Sequence, residues 1–121
     1  MFFDIFSDFR GIFFLWLERH QVILLWYTNT MDEIIRKRIQ FFGVVQGVGF
    51  RYRAKYAAQS VGATGWVRNE YDGSVTMEIQ GTEAQIDQVI LAAEKRSYVH
   101  IMDMKVKSLP VVDDEYGFRA M

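Results

Sequence analysis

The sequence predicts an α+β domain in which one antiparallel sheet carries two helices on a single face. Three observations lead there. Two stretches place apolar residues at helical spacing, strand-like alternation flanks and separates them, and an Asp72-Gly73 pair lies between two of the strand-like runs.

Ile35–Val44 reads as the first strand, with Ile39 and Phe41 on one side and Arg36, Arg38 and Gln40 on the other. A glycine-rich stretch, Gly43-Val44-Val45-Gln46-Gly47-Val48-Gly49-Phe50-Arg51, follows it. Phe50, Ala54, Ala57, Ala58 and Val61 then form a helical stripe, and Gly62 stands where a helix usually stops. Thr64–Asn69 is a second strand, and Asp72-Gly73 marks the hairpin into a third. Ser74–Gln80 alternates, with Val75, Met77 and Ile79 inward and Thr76, Glu78 and Gln80 outward. Thr82-Glu83-Ala84-Gln85 fits a capping box, and Ile86, Val89, Ile90 and Ala93 supply the second helix's apolar face. Val99–Leu109 should contain a fourth strand ending before Pro110, and Gly117–Met121 can add a short terminal one. The order β-α-β-β-α-β, with two crossovers and a central hairpin, is that of a split β-α-β sandwich of the ferredoxin-like kind. Both helices cover one sheet face and the other stays open.

Composition narrows the function classes. The chain has 121 residues, half of them hydrophobic, which suits one domain with one core. Fourteen Lys+Arg against fifteen Asp+Glu lack the basic footprint of a nucleic-acid binder. The outward Thr76, Glu78 and Gln80 are also unlike the aromatic sheet face of an RNA-recognition domain. With no cysteine, a disulfide scaffold, a thiol nucleophile and thiolate metal sites are excluded. His20 and His100 alone make a poor imidazole site, so no metal or other cofactor is expected. A cytoplasmic location is the expectation that goes with this composition.

Residues 1–30 differ from the rest. They hold six of the ten Phe and two of the three Trp, interrupted by Asp4, Asp8, Arg10, Glu18 and Arg19. Those charges argue against a membrane span, and the acidic start argues against a signal peptide. Ile5, Phe9, Ile12, Phe13 and Trp16 recur at helical spacing, as in a sticky helix that could favour self-association. Residues 1–30 are therefore expected to be an appendage, or translation to begin at Met31. Residues 31–121 look complete as a domain.

The glycine-rich stretch leaves a strand and opens a helix. Glycines there let the backbone turn tightly and approach a ligand. Free amides at a helix start, aided by the helix dipole, favour an anion. Arg51 adds a planar fork that matches phosphate oxygens. No Gly-Lys-Ser/Thr follows, so this is not a Walker loop, and the glycine spacing is not that of a dinucleotide fingerprint.

Gly43-Val44-Val45-Gln46-Gly47-Val48-Gly49-Phe50-Arg51 resembles the first signature of the acylphosphatase family, and Gly65-Trp66-Val67-Arg68-Asn69-Glu70-Tyr71-Asp72-Gly73-Ser74-Val75 resembles the second. The resemblance covers about residues 34–121 and departs after Arg96, where Ser97-Tyr98-Val99-His100 replaces a Gly-Pro turn. It implies metal-independent hydrolysis of small acyl phosphates, with inorganic phosphate as product and inhibitor. Arg51 matches the family's phosphate-binding arginine and Asn69 the asparagine that orients the attacking water. The backbone of Gln46, Gly47, Val48, Gly49, Phe50 and Arg51 matches the phosphate cradle.

Plainer readings exist for each residue. An Arg at a helix start is ordinarily a surface ion pair, and an Asn near a hairpin is ordinarily a turn residue. Trp66 reads as packing, Arg68 as a solvated strand charge, and Asp113-Asp114-Glu115 as a solvated loop. A non-catalytic ferredoxin-like module that binds an anion or other ligand is the rival function, because fold alone does not imply chemistry.

Overall fold

The computed structural model describes residues 33–121. The expectations for residues 1–30, including the helical spacing of Ile5 to Trp16, lie outside the described residues. The elements run β1 (Ile35–Val44), α1 (Phe50–Val61), β2 (Thr64–Asn69), β3 (Val75–Gly81), α2 (Glu83–Ala93), β4 (His100–Leu109) and β5 (Phe118–Ala120). The sheet order is β4-β1-β3-β2-β5. The first four strands pair antiparallel, as the alternating pattern requires. The short terminal strand differs from the expected all-antiparallel sheet, because β5 pairs parallel to β2 through Gly65↔Phe118 and Val67↔Ala120. The physical reason is the route of the chain. It leaves β4 at one edge and crosses the sheet before rejoining at the other.

Local chemistry sets the helix ends. α1 closes at Gly62, whose N–H donates to the Ala58 carbonyl. Thr82 caps α2, accepting from the Gln85 amide while the Gln85 side chain accepts from the Thr82 amide at 2.8 Å. That reciprocal pair satisfies two of the four amides a helix start leaves open. The Gln85 Nε2 also donates to Val61 O at 2.7 Å, tying α2's start to α1's end.

The core lies between the sheet and the two helices. Ile39 and Phe41 from β1, Val75, Met77 and Ile79 from β3, and Val67 from β2 meet Phe50, Ala54 and Ala58 of α1 and Ile86, Val89 and Ala93 of α2. Phe50 is buried, and its ring centroid lies 4.9 Å from that of Phe41, tilted by 60°. This edge-on pairing anchors the first residue of α1 to the middle of the sheet. A fully buried Phe contributes on the order of 1.5–3 kcal/mol, enough to hold a helix start in place.

The face opposite the helices is polar yet partly covered. Residues 110–117 cross it on their way to β5, pinned where Gln80 and Val112 exchange two hydrogen bonds of 2.9 Å. Glu115 therefore does more than sit in a solvated loop: it pairs with Arg36 at 2.7 Å. Arg36 also pairs with Glu78 at 2.9 Å, and the second Glu78 oxygen holds Arg38. Arg36 and Glu78 are 4% and 8% exposed, so the outward row of β3 is largely closed to solvent. Burial pushes the Glu78 carboxyl up, but hydrogen bonds from Arg38 and Arg36 outweigh it and leave the group below its ordinary value. Glu115 behaves likewise, with Arg36 the main opposing partner to burial.

Candidate active site

The site is built where β1 runs into α1. Val45 is buried at the end of β1, and the chain then turns through Gly47 and Gly49, at φ +74° and +79°, directly into α1. Side chains other than glycine rarely adopt that left-handed region. Gly49 is the residue before the helix and makes no side-chain cap, and no acidic residue stands in the first turn. The start of α1 thus carries backbone amides and the positive end of a helix dipole without a built-in carboxylate to neutralise them.

Arg51 lies in that first turn. Its Nη1 donates to the main-chain oxygen of Met121. The Met121 amide in turn donates to Val67 O at 2.8 Å, so Met121, just past β5, links the guanidinium to β2. Gln46 reaches the hairpin between β2 and β3. Its Nε2 donates to Glu70 O at 2.7 Å and to Ser74 O at 2.9 Å. Asn69 is the last residue of β2, exposed, opposite Val75 in the register and next to Glu70. Gln46 thereby ties the glycine loop to the hairpin that follows Asn69, and Arg51 is tied through Met121 to Val67, two residues before Asn69.

The hairpin beyond Asn69 is itself locked. Asp72 Oδ1 accepts from the Ser74 amide at 2.9 Å and from its hydroxyl at 2.6 Å, and those two bonds hold the Asp72 carboxyl below its ordinary value. Glu70 N donates to Ser74 O at 2.8 Å across the turn. Arg68 pairs with Glu70 at 3.0 Å and lies over the Trp66 ring at 4.9 Å, so it is a partnered strand charge and not a freely solvated one.

The structure thus sets Arg51 and the 46–51 backbone where β1 runs into α1, and Asn69 at the end of β2. From the sequence, Gln46 counts only for its backbone, and its side-chain bridge is not legible. Nor is the role of Arg53, whose guanidinium donates to Val48 O of the loop. A lone Gln or Arg in a helix-opening segment gives no local signal of such long-range partners. Among the described residues no three His, Asp or Glu side chains gather as a cation site, and no helix is long and apolar enough to cross a membrane.

Comparison with known proteins finds relatives over the same segment. The acylphosphatase family model matches residues 37–120. An acylphosphatase of Oceanobacillus iheyensis is 43% identical over 74 residues, 60% of this chain and 81% of that protein. One from Bifidobacterium longum is 38% identical over 85 residues, 67% of this chain and 84% of that protein. The crystal structure of acylphosphatase from Bacillus subtilis superposes with a TM-score of 0.65 at 28% identity, covering 72% of this chain and 98% of that one.

Proposed function

The chain belongs to the acylphosphatase family, and we propose that it hydrolyses the carboxyl–phosphate bond of small acyl phosphates. The observation that carries this reading is that Gln46, in the loop before Arg51, bonds across to Glu70 and Ser74 of the hairpin that follows Asn69. Enzymes of this family are hydrolases acting on acid anhydrides.

The chemistry follows from these groups. In the proposal, the phosphate sits at the start of α1, its oxygens on the amides of about Gln46–Arg51 and on the Arg51 fork. The guanidinium has five donors, and its bond to Met121 fixes the fork by one edge. Asn69 accepts a hydrogen bond from a water through its side-chain carbonyl and holds that water in line with the leaving oxygen. The water oxygen bonds to phosphorus, the phosphorus–carboxyl oxygen bond breaks, and the electron pair leaves with the carboxylate. A carboxylate is a good leaving group and needs no proton. The water's proton goes to the phosphate, because a neutral amide cannot act as a strong base. The products are a carboxylate and dihydrogen phosphate. Catalysis in this scheme is positioning and charge stabilisation, which is what phosphoryl transfer chiefly needs.

The test separates the two roles. Asn69→Ala should lower turnover of benzoyl phosphate by about a hundredfold, the size expected of lost positioning, while inorganic phosphate still binds. A parallel loss of phosphate binding would place Asn69 in the cradle instead. Phosphate binding by the unsubstituted protein without any turnover would favour the anion-binding module.

A further inference from the structure

The geometry points to Arg53 as a positioning residue for the phosphate cradle, acting through the Val48–Gly49 peptide. This inference rests on the anion-site reading above. Arg53 lies one turn into α1 and turns its guanidinium back under the loop. Its Nη1 donates to Val48 O at 2.9 Å, while Nε and Nη2 donate to Ala93 O at 3.3 and 3.0 Å. One planar fork thus spans the glycine loop and the last residue of α2. α2 has no basic residue in its own last turn, so Arg53 supplies the cation that its carbonyl end favours. Tyr98 lies on the other side, with the guanidinium carbon 6.0 Å from its ring centroid.

The consequence for the cradle comes from peptide planarity. In a trans peptide the carbonyl and the following N–H point in opposite directions. Holding the Val48 carbonyl on Arg53 turns the Gly49 N–H away from that guanidinium and, on this reading, toward the anion. Glycine at 49, whose φ borders this peptide, makes it prone to turn over, and a flipped peptide would aim a carbonyl oxygen at a bound anion. A Cβ on Gly49 would lie 2.7 Å from Arg53 Nη1, so the glycine also makes room for the clamp. Arg53 itself touches no substrate in this scheme.

The consequence is a particular kinetic signature. If removing the clamp lowers the fraction of loops with the amide outward, apparent affinity falls by that fraction, whereas saturating ligand draws the loop back. In the full chain, Arg53→Met should weaken inorganic phosphate binding and raise KM for benzoyl phosphate together, by about tenfold, with kcat changed by less than about threefold. Arg53→Lys can hold one carbonyl but not both, so it should fall between, and it serves if the Met variant fails to fold. Thermal unfolding is followed alongside. Reduced stability with phosphate affinity and KM within about twofold of the unsubstituted protein would overturn the inference and leave Arg53 as a helix-to-helix strut. A proportional fall in kcat at unchanged KM would overturn it too. Absence of phosphate binding by the unsubstituted protein would overturn the anion-site reading, and this inference with it.

Discussion

Gln46→Met tests how the two halves of the site are held together. The substitution keeps the length of the side chain and removes both donors. What is lost is one 2.7 Å bond to Glu70 O and one 2.9 Å bond to Ser74 O. Neither carbonyl is wholly orphaned, because Ser74 O still accepts from the Glu70 amide and Glu70 O from the Gly73 amide, the latter at a long 3.3 Å. The cost is therefore that of two neutral hydrogen bonds, about 1 kcal/mol each, and not that of two stranded polar groups. Were all of it spent on the local geometry, about 2 kcal/mol corresponds to about a 30-fold loss in kcat/KM. If it fell on global folding instead, a domain of this size would lose roughly 10 °C in Tm. Steady-state hydrolysis of benzoyl phosphate and thermal unfolding by circular dichroism read the two quantities on the same samples. The expected result is a loss in both, with kcat/KM down by at least about fivefold at temperatures where the variant is folded. Full activity in a folded, destabilised variant would refute the coupling and reduce the bridge to a structural tie.

Two further outcomes are expected. Glu78→Gln should cost about 1.5–3 kcal/mol at pH 7, the size of hydrogen bonds to charged groups, because Arg36 keeps Glu115 as a partner. Glu78 and Glu115 are both held below their ordinary values, so the unfolded chain binds more protons there. Their stabilisation is thus full well above the ordinary glutamate value of about 4.3 and drains away as pH falls through that value toward the lower folded ones; urea titrations from pH 6 to 3 should show that slope flattened in the Gln variant, and parallel slopes would contradict it. A chain beginning at Met31 should keep its turnover of benzoyl phosphate; an inactive but folded product would show that residues 1–30 help build the site.

Much of the fold could be read in advance because the signals were local and agreed with one another. The alternation of Ile35–Val44, the stripe from Phe50 to Val61 and the Thr82–Gln85 capping box each specify an element without help from the rest of the chain. Arg51 could be singled out because glycines at special backbone positions leave a mark in the sequence, and Asn69 only because residues 65–75 resemble the acylphosphatase family's second signature. The side chains of Gln46, Arg53 and Glu115 left none. Their partners lie 24 or more residues away in the chain for Gln46, 40 for the Arg53 bond to Ala93, and 79 for the Glu115 bond to Arg36. Such pairings exist only after the sheet has ordered its strands. The same holds for β5, whose parallel seat beside β2 depends on the chain crossing the polar face first.

In the proposed function, Arg51 and the glycine loop form a phosphate site at which acyl phosphate is hydrolysed without a metal. The most direct measurement is hydrolysis of benzoyl phosphate by the purified chain in EDTA, beside an Arg51→Ala control. Turnover should survive EDTA and vanish with Arg51. Turnover lost to EDTA, or retained by a folded Arg51→Ala protein, would contradict it.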